Sequence, residues 1–139
     1  MNVLLYTDQH SESGERLKHS IKALDRFDTL TDCASMAELL HHLQTPEPLP
    51  ETVVFQASCT RDLKRLAPFR FRLEQVFFIL ILPDAEADTV ACGHQLRPRF
   101  IAYQDSDFSE IKAVLRRLQS RGSGLGASVP IAPVDPDRP

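Results

Sequence analysis

Val76-Phe77-Phe78-Ile79-Leu80-Ile81-Leu82 is an unbroken apolar run, stopped by Pro83-Asp84. Its residues are aromatic, β-branched or leucine, and no polar residue interrupts them. A half-buried strand would alternate, so this one needs cover on both faces, as an interior strand of a parallel sheet does. At seven residues the run is also far too short to cross a bilayer.

Working outward, four more short apolar runs occur. Val3 to Tyr6 and Thr52 to Phe55 read as buried strands, the latter ending at Gln56, and Phe100 to Tyr103 as a fifth. Thr29 to Cys33 is weaker, alternating β-branched and apolar residues. Helical patterns separate them. After a polar loop, Thr7 to Ser13, residues Leu17, Ile21 and Leu24 share one helix face. Ser35 and Glu38 have capping-box spacing before Met36, Leu39, Leu40 and Leu43, and the proline-rich stretch Thr45 to Pro50 ends that helix. Asp62 to about Phe69 forms a helix with Leu63 and Leu66 inward, which Pro68 ends or kinks. Phe69, Phe71 and Leu73 alternate with Arg70 and Arg72, which fits either a loop or a helical extension. A polar fourth helix, about Ala85 to Leu96, is weakened by Gly93. Asp107 and Glu110, again capping-box spaced, open a fifth with Phe108, Ile111, Val114, Leu115 and Leu118 on one side.

Strand–helix alternation of this kind implies an α/β fold: a five-stranded parallel sheet, helices on both faces, right-handed crossovers. The α/β domain is assigned to residues 1–121. Residues 122–139, rich in Gly, Ser, Pro and Asp, are expected to be a disordered tail.

The 139-residue chain fits a single domain with a sizeable core. Its net charge of −3 provides no global basic field, which argues against nucleic-acid binding. Local basic clusters such as Arg116 and Arg117 read as solvated helix faces. Three widely spaced cysteines, Cys33, Cys59 and Cys92, do not suggest a disulfide framework and fit a reducing compartment. The first residues have no basic region and too short an apolar stretch for a signal peptide. A cytoplasmic protein without membrane contact is expected.

Four strand ends carry the decisive residues: Asp8 in Tyr6-Thr7-Asp8-Gln9, Gln56 in Gln56-Ala57-Ser58, Leu82 in Ile81-Leu82-Pro83, and Gln104 in Tyr103-Gln104-Asp105. From about Asn2 to Arg121, this order and spacing resembles the response-regulator receiver domain of the CheY-like superfamily. The resemblance implies the flavodoxin- and CheY-like strand order 2-1-3-4-5. It also implies a phosphoryl-accepting aspartate after strand 3, an acidic magnesium-binding pair after strand 1, a Thr or Ser after strand 4 and a Lys after strand 5. This chain departs from all four, with Gln56, the single acid Asp8, Leu82 and Gln104. An amide has no anionic oxygen to attack phosphorus, and one carboxylate does not replace the oxygen ligands magnesium needs. The chain therefore resembles an atypical, or pseudo-, receiver, and no catalytic residue carries over. Asp8, Gln56, Leu82 and Gln104 mark a degenerate phosphorylation pocket.

Other constellations are weaker. Asp8 with His10 reads as a loop acid capping the first helix. His41 and His42 point about 100° apart on a helix and read as surface residues. His94 and Cys92 are too few for a zinc site. Cys59, near a helix start, reads as structural or incidental, and no glycine-rich phosphate loop occurs. No metal or cofactor is expected. In receivers, the face of the fourth helix, fifth strand and fifth helix docks partners. Here it would carry Ala91, His94, Arg99, Tyr103, Lys112, Arg116 and Arg117. The leading expectation is a non-enzymatic signalling module that contacts a protein partner, or a second copy of itself, through that face. The alternative is a small α/β ligand binder or enzyme using Asp8, Gln56, Ser58 and Cys59.

Overall fold

In the computed structural model, which describes residues 2–8, 11–24, 27–44 and 50–123 (side chains through Ser120), the five apolar runs are five parallel strands. The chain runs β1 (Asn2–Tyr6), α1 (Glu12–Lys22), β2 (Thr29–Cys33), α2 (Met36–Gln44), β3 (Thr52–Gln56) and α3 (Thr60–Leu66). A 3₁₀ turn at Ala67–Phe69 and a one-turn helix α4 (Arg70–Leu73) follow. Then come β4 (Phe77–Leu82), α5 (Ala87–Gln95), β5 (Phe100–Tyr103) and α6 (Ser109–Ser123). The sheet order is β2-β1-β3-β4-β5, as the resemblance implied. The fourth and fifth helices read from sequence are α5 and α6, because the 60–73 connection makes an extra turn.

Every residue of β3 is buried, as the central strand of a doubly covered sheet requires. The apolar runs divide their side chains between two layers. Leu4, Val53, Phe55, Phe78, Leu80 and Leu82 pack with Met36, Leu39 and Leu43 of α2, Leu63 and Leu66 of α3, and Leu73. Val3, Leu5, Val54, Ile79 and Ile81 pack with Leu17 and Ile21 of α1 and Ile111 and Leu115 of α6. Each fully buried Leu, Ile or Phe contributes about 1.5–3 kcal/mol of transfer free energy. A one-residue slip of β4 would exchange its two layers, so the register is strongly specified.

Gly93 weakens α5 by propensity, yet it has a packing reason. A Cβ there would lie 3.1 Å from Leu82 Cδ2 and 3.2 Å from Leu80 Cδ2, so the missing side chain lets α5 approach β4. Pro68 tightens the end of α3 into the 3₁₀ turn rather than starting a loop. The ambiguous stretch after it is helical: Leu73 is buried, Phe69 half-buried and Phe71 68% exposed.

The caps depart from expectation in three places. Ser11, not Asp8, is the N-cap of α1, its side chain accepting from Gly14 N–H at 3.0 Å. Ser35 Oγ does accept from Glu38 N–H at 3.2 Å, but Glu38 Oε1 returns the bond one residue early, to Ala34 N–H at 2.9 Å. Asp107 does not form a box with Glu110. Its Oδ1 accepts from Ser109 N–H at 3.0 Å, and Phe108 takes a left-handed backbone with φ of 62°. That conformation costs a bulky residue about 1–2 kcal/mol, offset here by burial of the Phe108 ring beneath α1. The Arg16 guanidinium lies 5.4 Å from the centre of that ring.

The backbone of α6 continues through Ser123, two residues into the segment assigned to the tail. The remaining tail and most of Thr45 to Pro50 lie outside the described residues. No helix among the described residues is long and apolar enough to cross a membrane.

Candidate functional site: the carboxyl edge of the sheet

The loops after β1, β3 and β5 meet at Gln56. As the last residue of β3 it points to the α1 side of the sheet and is 0% exposed. Its Oε1 accepts from Asp8 N–H at 2.8 Å, and its Nε2 donates to Ser13 Oγ at 3.0 Å. Ser13 Oγ in turn donates to the Gln104 carbonyl at 2.7 Å. The same carbonyl accepts from Arg16 Nη2 at 3.2 Å, while Nη1 reaches the Ser106 carbonyl at 3.2 Å. The result is a directed relay from the β1–α1 loop through the Gln56 amide and Ser13 to the β5–α6 loop. Its buried polar atoms are satisfied without any charge at position 56, which low-dielectric surroundings favour.

Gly14 makes the closure possible. A Cβ on it would lie 2.0 Å from the Asp8 carbonyl oxygen, so the β1–α1 loop folds directly onto the first turn of α1. Backbone bonds hold the other edges: Ala57 N–H to the Ile81 carbonyl at 2.9 Å, and Gln104 N–H to the Leu82 carbonyl at 2.9 Å.

The structure thus joins Asp8, Gln56 and Gln104, two of them through backbone atoms. Leu82 belongs to the edge only by its carbonyl. Its side chain is buried in the other layer, against Gly93. Ser58 and Cys59 lie apart from the relay. Ser58 Oγ donates to Asp62 Oδ2 at 2.7 Å, and Asp62 also accepts from Ser58 N–H at 3.0 Å, which secures the start of α3. Cys59 is exposed. Tyr6 stacks on Phe55 with centroids 5.2 Å apart. Burial, followed by the Asp62 and Asp8 carboxylates, raises its phenol pKa.

The residues assigned to partner contact are dispersed. Arg99 sits just before β5, at the opposite end of the sheet, its guanidinium 5.7 Å from the Phe77 ring centre. Tyr103, at the carboxyl end, is partly buried against the α2–α3–α5 layer. Arg116 is exposed on α6 and Lys112 half-buried.

Sequence reading missed Ser13, Gly14 and Arg16. Their signal was weak, because a polar loop entering a helix is commonplace and only tertiary contact aims these residues at Gln56. It also missed Cys33, Glu38 and His42, whose ligand atoms all lie within 4.8 Å of one another. Burial, then the Glu38 and Asp32 carboxylates, push the Cys33 thiol up to about 12.

No family model matches the chain, and no curated protein matches it by sequence. Solved structures do match in fold. A CheY-like protein, TadZ of Pseudomonas aeruginosa PAO1, superposes with a TM-score of 0.58 at 16% identity, covering 85% of this chain and 99% of that one. The phosphorylated cyanobacterial phytochrome response regulator RcpA gives 0.60 at 7% identity, covering 91% and 96%. A response regulator of red-light signalling in R. palustris gives 0.58 at 11% identity, covering 95% and 100%. The chain has the fold of CheY-like response-regulator receivers.

Proposed function

We propose that this chain is a receiver-like regulatory module that acts through protein contacts and takes no phosphoryl group at Gln56. The observation that carries this reading is the bonding of Gln56. Both ends of its amide are engaged, with Asp8 N–H and Ser13 Oγ, at the strand end where a receiver presents its aspartate. An amide nitrogen and oxygen so held supply no nucleophile, and the side chain that carries them is fully buried. The neighbouring Gln104 provides a carbonyl, and its side chain carries no charge to pair with a phosphate.

Although these side chains are spread along it, we assign partner contact to the α5–β5–α6 face, through Arg99, Tyr103, Lys112 and Arg116, with a second copy of the chain as the occupant tested. Incubation with acetyl phosphate and magnesium tests the first part of the reading. An unchanged intact mass and an unchanged amide spectrum are expected. Stoichiometric acid-labile phosphorylation would overturn it. Light scattering of wild type against Tyr103→Ala and Arg116→Ala tests the face for self-association. A dimer that both variants leave intact removes that face from its contacts.

A further inference from the structure

We propose that Cys33, Glu38 and His42 form a binding site for a thiophilic divalent cation of the zinc class, which clips edge strand β2 to helix α2. One sulfur, one carboxylate oxygen and one imidazole nitrogen from two elements lie within 4.8 Å of one another. Bonds of about 2.0–2.3 Å at tetrahedral angles place such donors roughly 3.3–3.8 Å apart, so rotamer adjustment of about 1 Å closes the site.

Local structure explains the convergence. Cys33 ends β2 with its side chain on the α2 side of the sheet, in the same layer as Met36 and Leu39. Glu38 and His42 are one turn apart on α2, which puts both over the same stripe of the helix. Glu38 is already aimed. Its Oε1 accepts from Ala34 N–H at 2.9 Å, a bond of the kind that fixes a ligand's orientation from behind. His42 is half-buried, Glu38 also reaches solvent and Cys33 is fully buried, so an ion reaches the sulfur from the Glu38 and His42 side.

The donor set selects the cation. Magnesium and calcium want oxygen ligands, whereas a thiolate with an imidazole suits zinc and its cobalt surrogate. Asp32 does not join, since the next residue in a strand faces the other side. Its Oδ2 instead lies 3.4 Å from Lys18 Nζ and 3.5 Å from Lys22 Nζ on α1. Three protein ligands leave a fourth position for water, which gives an exchangeable site rather than a closed structural one. Binding replaces the Cys33 S–H bond by a sulfur–metal bond, the proton goes to solvent, and no electron is transferred. The site lies at the edge strand, away from Gln56, and stands or falls independently of the regulatory reading.

Titration of tag-free, chelator-stripped full-length protein with Co2+ tests this. One equivalent should produce a thiolate-to-cobalt charge-transfer band with tetrahedral visible bands, both bleached by Zn2+. Glu38→Gln and His42→Asn should each weaken Co2+ binding at least about tenfold. His41→Asn, Cys59→Ser and Cys92→Ser should leave it unchanged. Cys33→Ser should abolish the band. Should that buried variant fail to fold, the half-buried position's variant, His42→Asn, carries the test. The proposal is overturned by a wild-type chain that shows no saturable band, by wild-type affinity in His42→Asn, or by loss of the band in Cys59→Ser or Cys92→Ser.

Discussion

Gln56→Glu changes one atom of the relay and nearly nothing of its shape, so it isolates the role of neutrality at this site. The new carboxylate keeps an oxygen where Oε1 accepts from Asp8 N–H. At the other end a donor becomes an acceptor facing Ser13 Oγ, and the hydroxyl can meet it only by turning away from the Gln104 carbonyl. Arg16 still serves that carbonyl, so the lost bond costs about 1 kcal/mol or less. The larger effect is the charge. Full burial raises a carboxyl pKa by roughly 3–5 units, and the two donors that remain return part of that. A net rise of about 2 units corresponds to about 3 kcal/mol.

The sign follows from linkage. A carboxyl whose folded pKa is raised binds more protons folded than unfolded, so the variant loses stability as pH climbs from about 4 through 6 and levels off above the folded pKa. The other titrating groups are shared with wild type and cancel in the difference. Urea unfolding of both proteins at about pH 4 and pH 7 should give a destabilisation within about 1 kcal/mol at the acid value and about 3–4 kcal/mol at the neutral one. An equal difference at the two pH values, or none at pH 7, would show that position 56 is hydrated or tolerant of charge. The closed relay would then be the wrong description.

Three other outcomes are expected. Gly14→Ala forces the Asp8 carbonyl away from a Cβ that would sit 2.0 Å from it. The loss of the Asp8–Gln56 bond, about 1–3 kcal/mol, should outweigh the helix-propensity gain of about 1 kcal/mol and lower the melting temperature. A thiol-reactive dye should label exposed Cys59 first and Cys92 more slowly, leaving buried Cys33, whose thiol pKa is pushed up to about 12, for the unfolded chain. The Asp107 carboxyl is held below its ordinary pKa first by the Ser109 N–H and then by the Ser109 hydroxyl. It therefore adds stability above the unfolded value of about 4, lost as pH falls through the folded one. The stability gap between wild type and Asp107→Asn should close on acidification.

Much of the fold was legible because it rests on local patterning. The unbroken run at Val76 to Leu82 demanded two covered faces, and Leu17, Ile21, Ile111 and Leu115 announced the helices that cover one of them. The caps were less legible. Ser11, Ser35 and Asp107 all belong to residue types that accept backbone N–H bonds, but which N–H each receives depends on where the chain enters the helix. Phe108 shows the difference most directly: its place on the apolar face was readable, while its left-handed backbone arises only because the core takes the ring before the helix begins.

The sequence by itself determined the parallel α/β architecture and the presence of an amide, Gln56, at the end of β3. Both are properties of residue type and order along the chain. Only the tertiary structure decided what that amide does. Gln56 is a donor and an acceptor at once, and its partners, Asp8 and Ser13, are 48 and 43 residues away. Cys33 and the Glu38–His42 pair were likewise separate facts until β2 and α2 were packed together. Side-chain chemistry is written in the sequence, but hydrogen bonds and metal ligation act over about 3 Å, and that proximity exists only once the sheet has brought its strand ends to one edge.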